Sequence, residues 1–242
     1  MKRVCTILAR AGSRGAPGKN TRLLGGVPLV THSIRHAQAT GLFDTVVVST
    51  DDPAVRRIAE GEQVDLVIVR PAELASATAG KLPAVVHAVE AAEVQLGRDF
   101  DVVIDLDVTS PLRTPEDIAA AVNLLEADTG VTNVITGTPA RRSPFFNLVE
   151  RAPDGTVSLV RPTDPPILRR QDAPECFDMN ASVYVWWRAR LSAGLPVVNP
   201  GTRLHVMPEE RSHDIDSELD WSIVTYLHGL ANGLAADGGD AR

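Results

Sequence analysis

Short runs of β-branched and aliphatic residues alternate with longer amphipathic stretches over the first half of this 242-residue chain. Runs at Val4–Ala9, Thr45–Thr50, Val64–Val69, Val102–Leu106 and Asn133–Thr136 have the length and composition of strands. Between them, Leu29–Ala39, Pro53–Gly61, Leu82–Leu96 and Pro115–Ala127 carry helical spacing. Pro53, Pro83 and Pro115 fall near their starts, where a missing N–H costs no hydrogen bond. Repetition of strand and helix builds parallel βαβ units. The runs at Thr45 and Val102 are almost wholly apolar, as strands covered by helices on both faces must be. The pattern predicts a three-layer α/β fold on a mostly parallel, Rossmann-like sheet, with ligands beyond the carboxyl ends of the strands.

After Thr136 the rhythm changes to extended segments, Phe145–Glu150 and Val157–Val160, joined by Pro- and Asp-rich turns. A strand at Ser182–Trp187 and a helix at Leu219–Leu230 follow. One domain over residues 1–232 is expected, with a small β-rich insertion at about 138–180. The Gly-, Ala- and Asp-rich tail 233–242 has no apolar anchor and is expected to lack fixed structure.

The formal net charge of -7, with no run of Lys and Arg, argues against nucleic acid as a partner. The apolar N-terminal run is cut off by Arg10, too short for a signal-peptide core or a membrane span. A cytoplasmic protein with no membrane partner is the expectation. Cys5 and Cys176 have no metal-site spacing, and buried thiols are expected at both.

Directly after the first strand lies Arg10-Ala11-Gly12-Ser13-Arg14-Gly15-Ala16-Pro17-Gly18-Lys19-Asn20. Glycines let backbone N–H groups approach an anion, and Arg10, Arg14 and Lys19 can neutralise a polyphosphate. The bland alternative is a basic surface loop; the spacing is not that of a Walker loop. Downstream, Asp214 and Asp216 stand two apart in an extended segment, so their carboxylates share a side and suit a hard cation such as Mg²⁺. The competing role is capping, with Asp216 or Ser217 at the start of the helix that follows. A further acid pair, Asp105 and Asp107, ends an apolar strand, where a carboxylate is costly unless it meets a cation or donors. His32 and His36 lie four apart on a helix without a third ligand, so surface or packing histidines are expected there. Tyr184 and Trp186 share one strand face, with packing or a subunit contact the ordinary reading.

The ordered set of Ala9-Arg10-x-Gly-Ser-Arg-Gly, Lys19-Asn20, Arg70-Pro71-x-x-Leu74-Ala75, Thr109-Ser110-Pro111-Leu112-Arg113, Arg170-Gln171, Asn180 and Asp214-Ile215-Asp216 resembles the acylneuraminate cytidylyltransferases over nearly the whole chain. The resemblance implies the nucleotide-diphospho-sugar-transferase-like form of the α/β fold. It implies a reaction of CTP with a sialic-acid-like 2-keto sugar acid, giving a CMP-sugar and pyrophosphate. Arg10, Lys19 and Asp214 would be catalytic. Arg10, Gly12, Ser13, Arg14, Lys19, Asn20, Arg70 and Lys81 would hold the nucleotide. Asp107, Arg170, Gln171, Asn180 and Tyr184 would meet the sugar acid, and Asp214 and Asp216 would hold Mg²⁺. The β-rich insertion resembles a dimerisation element that reaches into the partner's site, which implies a homodimer. The chain departs from the common pattern at Ala77 and Lys81, where an Asp and a base-contacting Ser are usual, and at Asp107, where a Gln is usual. Asn180-Ala181-Ser182 replaces Asn-Gly-Ala. These changes imply a legionaminate-type branch and leave open another NTP, a sugar phosphate or 3-deoxy-manno-octulosonate. A non-catalytic nucleotide binder is the remaining reading.

Overall fold

The computed structural model describes residues 1–12, 16–76 and 78–233; Ser13, Arg14, Gly15, Ala77 and the segment 234–242 lie outside the described residues. The main strands are β1 (Arg3–Leu8), β4 (Thr45–Thr50), β5 (Leu66–Val69), β6 (Val102–Asp107), β7 (Asn133–Pro139), β10 (Phe177–Trp187) and β11 (Thr202–Val206), with two short hairpins, β2 (Leu23–Leu24) with β3 (Val27–Pro28) and β8 (Val149–Arg151) with β9 (Val157–Leu159). The helices are α1 (Leu29–Thr40), α2 (Pro53–Gly61), α3 (Ala72–Ala75), α4 (Lys81–Leu96), α5 (Pro115–Glu126), α6 (Arg188–Ser192) and α7 (Glu218–Ala231). The large sheet has the order β11-β7-β10-β6-β1-β4-β5. Its pairs are parallel except where β10 runs antiparallel between β6 and β7.

Every residue of β4 is buried, which explains why the strand reads as one apolar run. Its alternate side chains feed two cores. Val46 and Val48 join Cys5, Ile7, Ile104 and Leu106 beneath α1, α2, α5 and α7. Val47 joins Val4, Val103, Tyr184 and Trp186 beneath α4, which buries Val85, Ala88, Val89 and Ala92. Helices on both faces of a mostly parallel sheet complete the three layers.

The sheet places 138–139 and 177–180 within β7 and β10, which pair directly through Phe177 and Pro139. The segment 140–176 therefore leaves and re-enters the sheet at one point, and β8 and β9 form its own small sheet. Residues 144–147 turn instead of extending, because the Ser143 carbonyl accepts from the N–H groups of Phe146, Asn147 and Leu148. β11 was not evident from the sequence: it reads Thr-Arg-Leu-His-Val and lies on the sheet edge with only part of it covered. Ala181 sits at the irregularity of β10 with φ 52°, the left-handed region that favours glycine, which accounts for glycine in the common pattern. Cys5 is buried as expected, but Cys176 is only half-buried because it lies in the insertion outside the sheet; both thiols are free.

The His32 Nε2–H donates to the Leu24 carbonyl (3.0 Å), and the ring meets His228 edge-on, with ring centroids 5.3 Å apart. His36 lies deeper; burial, with the nearby Arg113 and His32 charges, lowers its pKa to about 3. Of the two expected roles the histidines take packing, and His36 stays neutral in the fold. The unfolded chain, with an ordinary histidine pKa near 6.5, binds the extra proton first as pH falls. Stability held above pH 6.5 is therefore lost progressively below it, at up to about 1.4 kcal/mol per pH unit for this one group. Urea unfolding at pH 7.5, 6.0 and 5.0 is expected to show this slope, and His36→Gln is expected to flatten it. An equal slope in both proteins would remove His36 as its source.

Candidate active site

The loop after β1 is tied down from several sides. The Asp51 carboxylate accepts from the Ala11 N–H at 2.7 Å, and the Asn20 side-chain amide donates to the Arg10 carbonyl at 3.0 Å. Gly12 and Gly18 have φ 72° and 68°, a backbone that residues with a Cβ adopt only with strain. Arg10 reaches across to donate to the carbonyls of Ala75 and Ser76 at 3.3 and 3.2 Å. Lys19 donates to the Ile215 carbonyl at 2.5 Å and lies 3.4 Å from the Asp216 carboxylate.

That lysine contact joins the loop to the segment before α7. Ile215 is fully buried and its N–H donates to the Thr109 carbonyl at 2.9 Å, so Asp214 and Asp216 flank an anchored residue. Capping is done by Ser217 and Asp220, whose side chains form a reciprocal capping box. Asp214 and Asp216 are thus free of that duty. The Asp214 pKa is raised, first by burial and then by the charges of Asp216, Asp107 and Asp220. No ion pair meets Asp214 among the described residues. Two adjoining carboxylates, one half-buried and held against its like charges, are a donor set that a hard cation fits. Among the described residues no three His, Cys, Asp or Glu side chains form a metal-holding group, so such an ion would take its other oxygens from phosphates or water.

A cleft of about 240 Å³ opens at the carboxyl ends of β1, β5 and β6, lined by Arg10, Lys19, Asn20, Arg70, Lys81, Asp107 and Thr109 among others. Arg70 is 5% exposed, and its guanidinium donates to the Ser49 carbonyl at 2.7 Å and to the Ser49 hydroxyl at 3.2 Å. Burial lowers its pKa, against the charges of Asp105 and Asp51. Lys81, the first residue of α4, donates to Asp107 at 2.9 Å and stands 2.9 Å from Asp105 and 4.2 Å from the Tyr184 ring centre. Asp107 is therefore not a lone anion, as a Gln-to-Asp change by itself suggests. Burial pushes its pKa up, but the Lys81 charge and hydrogen bond outweigh this and bring it down to about 2.

Tyr184 stacks on Trp186, 5.5 Å between ring centres, and is nearly buried. The Asn180 side chain is engaged within the protein: Thr136 and the Ser182 N–H donate to its oxygen, and its nitrogen donates to Ser212 at 3.0 Å and contacts the Met207 sulfur. Arg170 and Gln171 line a separate cleft of about 450 Å³ in the insertion, with Arg142 and Cys176, and Arg170 donates to the Ala140 carbonyl at 2.9 Å. Within one chain the fold does not bring them to the cleft of Arg10 and Asp107. Arg113 carries a role that its place in the motif did not disclose. It is 1% exposed and donates to the Ser182 carbonyl (2.9 Å), the Asp107 carbonyl (2.7 Å) and the Ser33 hydroxyl, clamping the end of β6 to the middle of β10.

A cleft at strand ends that gathers Arg10, Lys19, Arg70 and Lys81, beside the carboxylates of Asp214 and Asp216, is the kind of arrangement a nucleotide-transfer enzyme uses. The family model described as cytidylyltransferase matches residues 4–185. The chain belongs to the cytidylyltransferase family and is a nucleotidyltransferase. It is 39% identical over 234 residues to the post-translational flagellin modification protein B of Campylobacter coli, covering 97% of this chain and 98% of that protein. It is also 39% identical over 229 residues to the CMP-N,N'-diacetyllegionaminic acid synthase of Campylobacter jejuni, covering 95% and 96% of the two chains. The N-acylneuraminate cytidylyltransferase of Oncorhynchus mykiss is 30% identical over 90% of this chain, which spans 48% of that longer protein. A CMP:2-keto-3-deoxy-manno-octonic acid synthetase complexed with CTP superposes with TM-score 0.67 at 19% identity, over 97% of this chain and 100% of that one, and shows the same fold.

Proposed function

We propose that the chain transfers CMP from CTP to the anomeric hydroxyl of a sialic-acid-like 2-keto sugar acid, an N-acylneuraminate, legionaminate or relative, releasing pyrophosphate. The observation that carries this reading is the Lys19 bridge: one side chain joins the phosphate-type loop to the Asp214–Asp216 segment at 2.5 Å. The names of the relatives at 39% and 30% identity support a sugar acid as acceptor and favour a legionaminate-type one.

In this reading Arg10 and Lys19 draw the triphosphate into the cleft and offset its charge, Asn20 fixes the loop, and Arg70 walls the far end where β5 closes. Asp214 and Asp216 would hold Mg²⁺, which supplies further neutralisation of phosphate charge when bound. The sugar hydroxyl attacks the α-phosphorus in line, the bond to the pyrophosphate oxygen breaks, and the hydroxyl proton leaves to solvent. Such a transfer needs positioning and charge neutralisation and no covalent enzyme intermediate.

The reading includes a cytoplasmic homodimer. Leu148, Val149, Val157, Val160 and Leu168 are exposed apolar side chains on the insertion, and a second copy offers them cover. Arg170 and Gln171, remote from their own chain's cleft, then meet the sugar acid across the dimer. No helix among the described residues is long and apolar enough to cross a membrane.

Product formation tests the function: incubation with CTP, Mg²⁺ and N,N'-diacetyllegionaminate or N-acetylneuraminate is expected to yield the CMP-sugar by mass spectrometry. Turnover with a sugar phosphate and another NTP, and none with either acid, would displace the reading.

A further inference from the structure

Two of the positions at which this chain leaves the common pattern, Lys81 and Asp107, are 26 residues apart in sequence and touch in the fold. The Lys81 ammonium donates to Asp107 Oδ2 at 2.9 Å and lies equally close to Asp105 Oδ2, a charge pairing without hydrogen-bond alignment. The second oxygen of each carboxylate is also placed: Asp105 Oδ1 accepts from the Thr6 hydroxyl at 2.8 Å, and Asp107 Oδ1 accepts from the N–H and hydroxyl of Thr109 at 3.3 and 3.1 Å. The Asp105 side chain is fully buried, whereas those of Lys81 and Asp107 keep 28% and 23% of their surface open to the cleft. One charge has been added at 81 and the opposite charge at 107, and the pair balances itself.

Sheet order says what the pair faces. Arg70 follows β5 and Arg10 follows β1, whereas Asp107 ends β6, between β1 and β10. Tyr184 of β10 stands directly opposite Asp105 of β6, and Lys81 lies over the Tyr184 ring. Asp107 thus lines the cleft at its β10 edge, a seam between the nucleotide-side cations of the cleft and the neighbouring strand β10. Its charge is also felt at Asp214.

Resting on the sugar-acid reading above, we propose that Lys81 is a positioning residue that holds the Asp107 carboxylate at this seam, and that Asp107 accepts hydrogen bonds from hydroxyl or amide N–H groups of the acceptor sugar. Lys81 occupies Oδ2 from the protein side and Thr109 occupies Oδ1, so the carboxylate is fixed in direction and its remaining lone pair meets the acceptor. A carboxylate rewards donor-rich sugars bearing N-acyl groups, and repels a ligand that would place its own carboxylate there. Without the lysine, two like charges two residues apart on one strand face would be left facing each other.

A double-substitution cycle tests the unit: wild type, Lys81→Ser, Asp107→Gln and the double variant, each with CTP affinity by calorimetry and kcat and KM for N,N'-diacetyllegionaminate. Asp107→Gln is expected to raise the KM for the sugar acid about 10-fold or more while CTP affinity stays within about 3-fold. Lys81→Ser is expected to lower kcat/KM about 10-fold or more, and the double variant to retain about 10-fold more activity than the product of the single losses. A merely structural role would move CTP affinity together with the KM. Multiplying losses, or a fall in CTP affinity with an unchanged KM for the sugar, would overturn the proposal. Asp107→Gln carries the KM test by itself if Lys81→Ser does not fold. An inactive wild type would overturn the sugar-acid reading itself, whereas multiplying losses around an active wild type overturn only the Lys81–Asp107 unit.

Discussion

Asp214→Asn is expected to lower the rate of pyrophosphate release on the order of 10²-fold or more, the scale on which losing one preorganised electrostatic group is felt at a transfer site. Stability should not follow. Asp214 is half-buried, its pKa is raised by burial and by Asp216, Asp107 and Asp220, and no ion pair compensates it among the described residues. A carboxylate whose pKa is raised in the fold destabilises the ligand-free protein at neutral pH, so the neutral amide should leave the melting temperature equal or slightly higher. Activity and stability are thereby expected to move apart. Steady-state kinetics over a Mg²⁺ titration, paired with thermal melts, checks both; a wild-type rate in limiting Mg²⁺ would end the assignment of Asp214 and Asp216.

Arg113→Met is expected to do the reverse and cost about 3–5 kcal/mol of stability, the scale of removing one partner from a buried charged network. The Arg113 guanidinium is fully enclosed, and burial brings its pKa down to about 10, against the raising influence of Asp107, Cys5, Asp105 and Asp117. Methionine fills much of the volume but takes the guanidinium donor from the Ser182 carbonyl and leaves the Asp107 carbonyl with the Ser33 hydroxyl alone. At a few degrees per kcal/mol for a domain of this size, the melting temperature should fall by roughly 10 °C. A loss below about 1 kcal/mol would show that water or rearranged neighbours satisfy those carbonyls.

The contrast between these two sites shows what the sequence could express. Fully covered strands such as β4 announce themselves by uninterrupted apolar runs, and the loop after β1 by glycines mixed with cations. Local chemistry was equally readable where the capping alternatives at Asp216 and Ser217 were both in view, and Ser217 with Asp220 takes that part. Long-range pairing was not. The Lys81–Asp107 contact, the Lys19–Ile215 bridge spanning 196 residues, and the clamp of Arg113 on Ser182 are set by sheet order. Sheet order depends on how crossovers close and on no spacing within one segment. The antiparallel insertion of β10 between β6 and β7 belongs to the same class, as does the edge strand β11, whose half-covered side chains leave no clear alternation.

Pyrophosphate release measured with ATP, CTP, GTP and UTP in parallel, with and without N,N'-diacetyllegionaminate, decides whether this enzyme joins CTP to a sugar acid. Release is expected from CTP alone among the four, dependent on the sugar acid and matched mole for mole by CMP-sugar. Release from another nucleotide in preference to CTP, or release from CTP indifferent to the sugar acid, would contradict it.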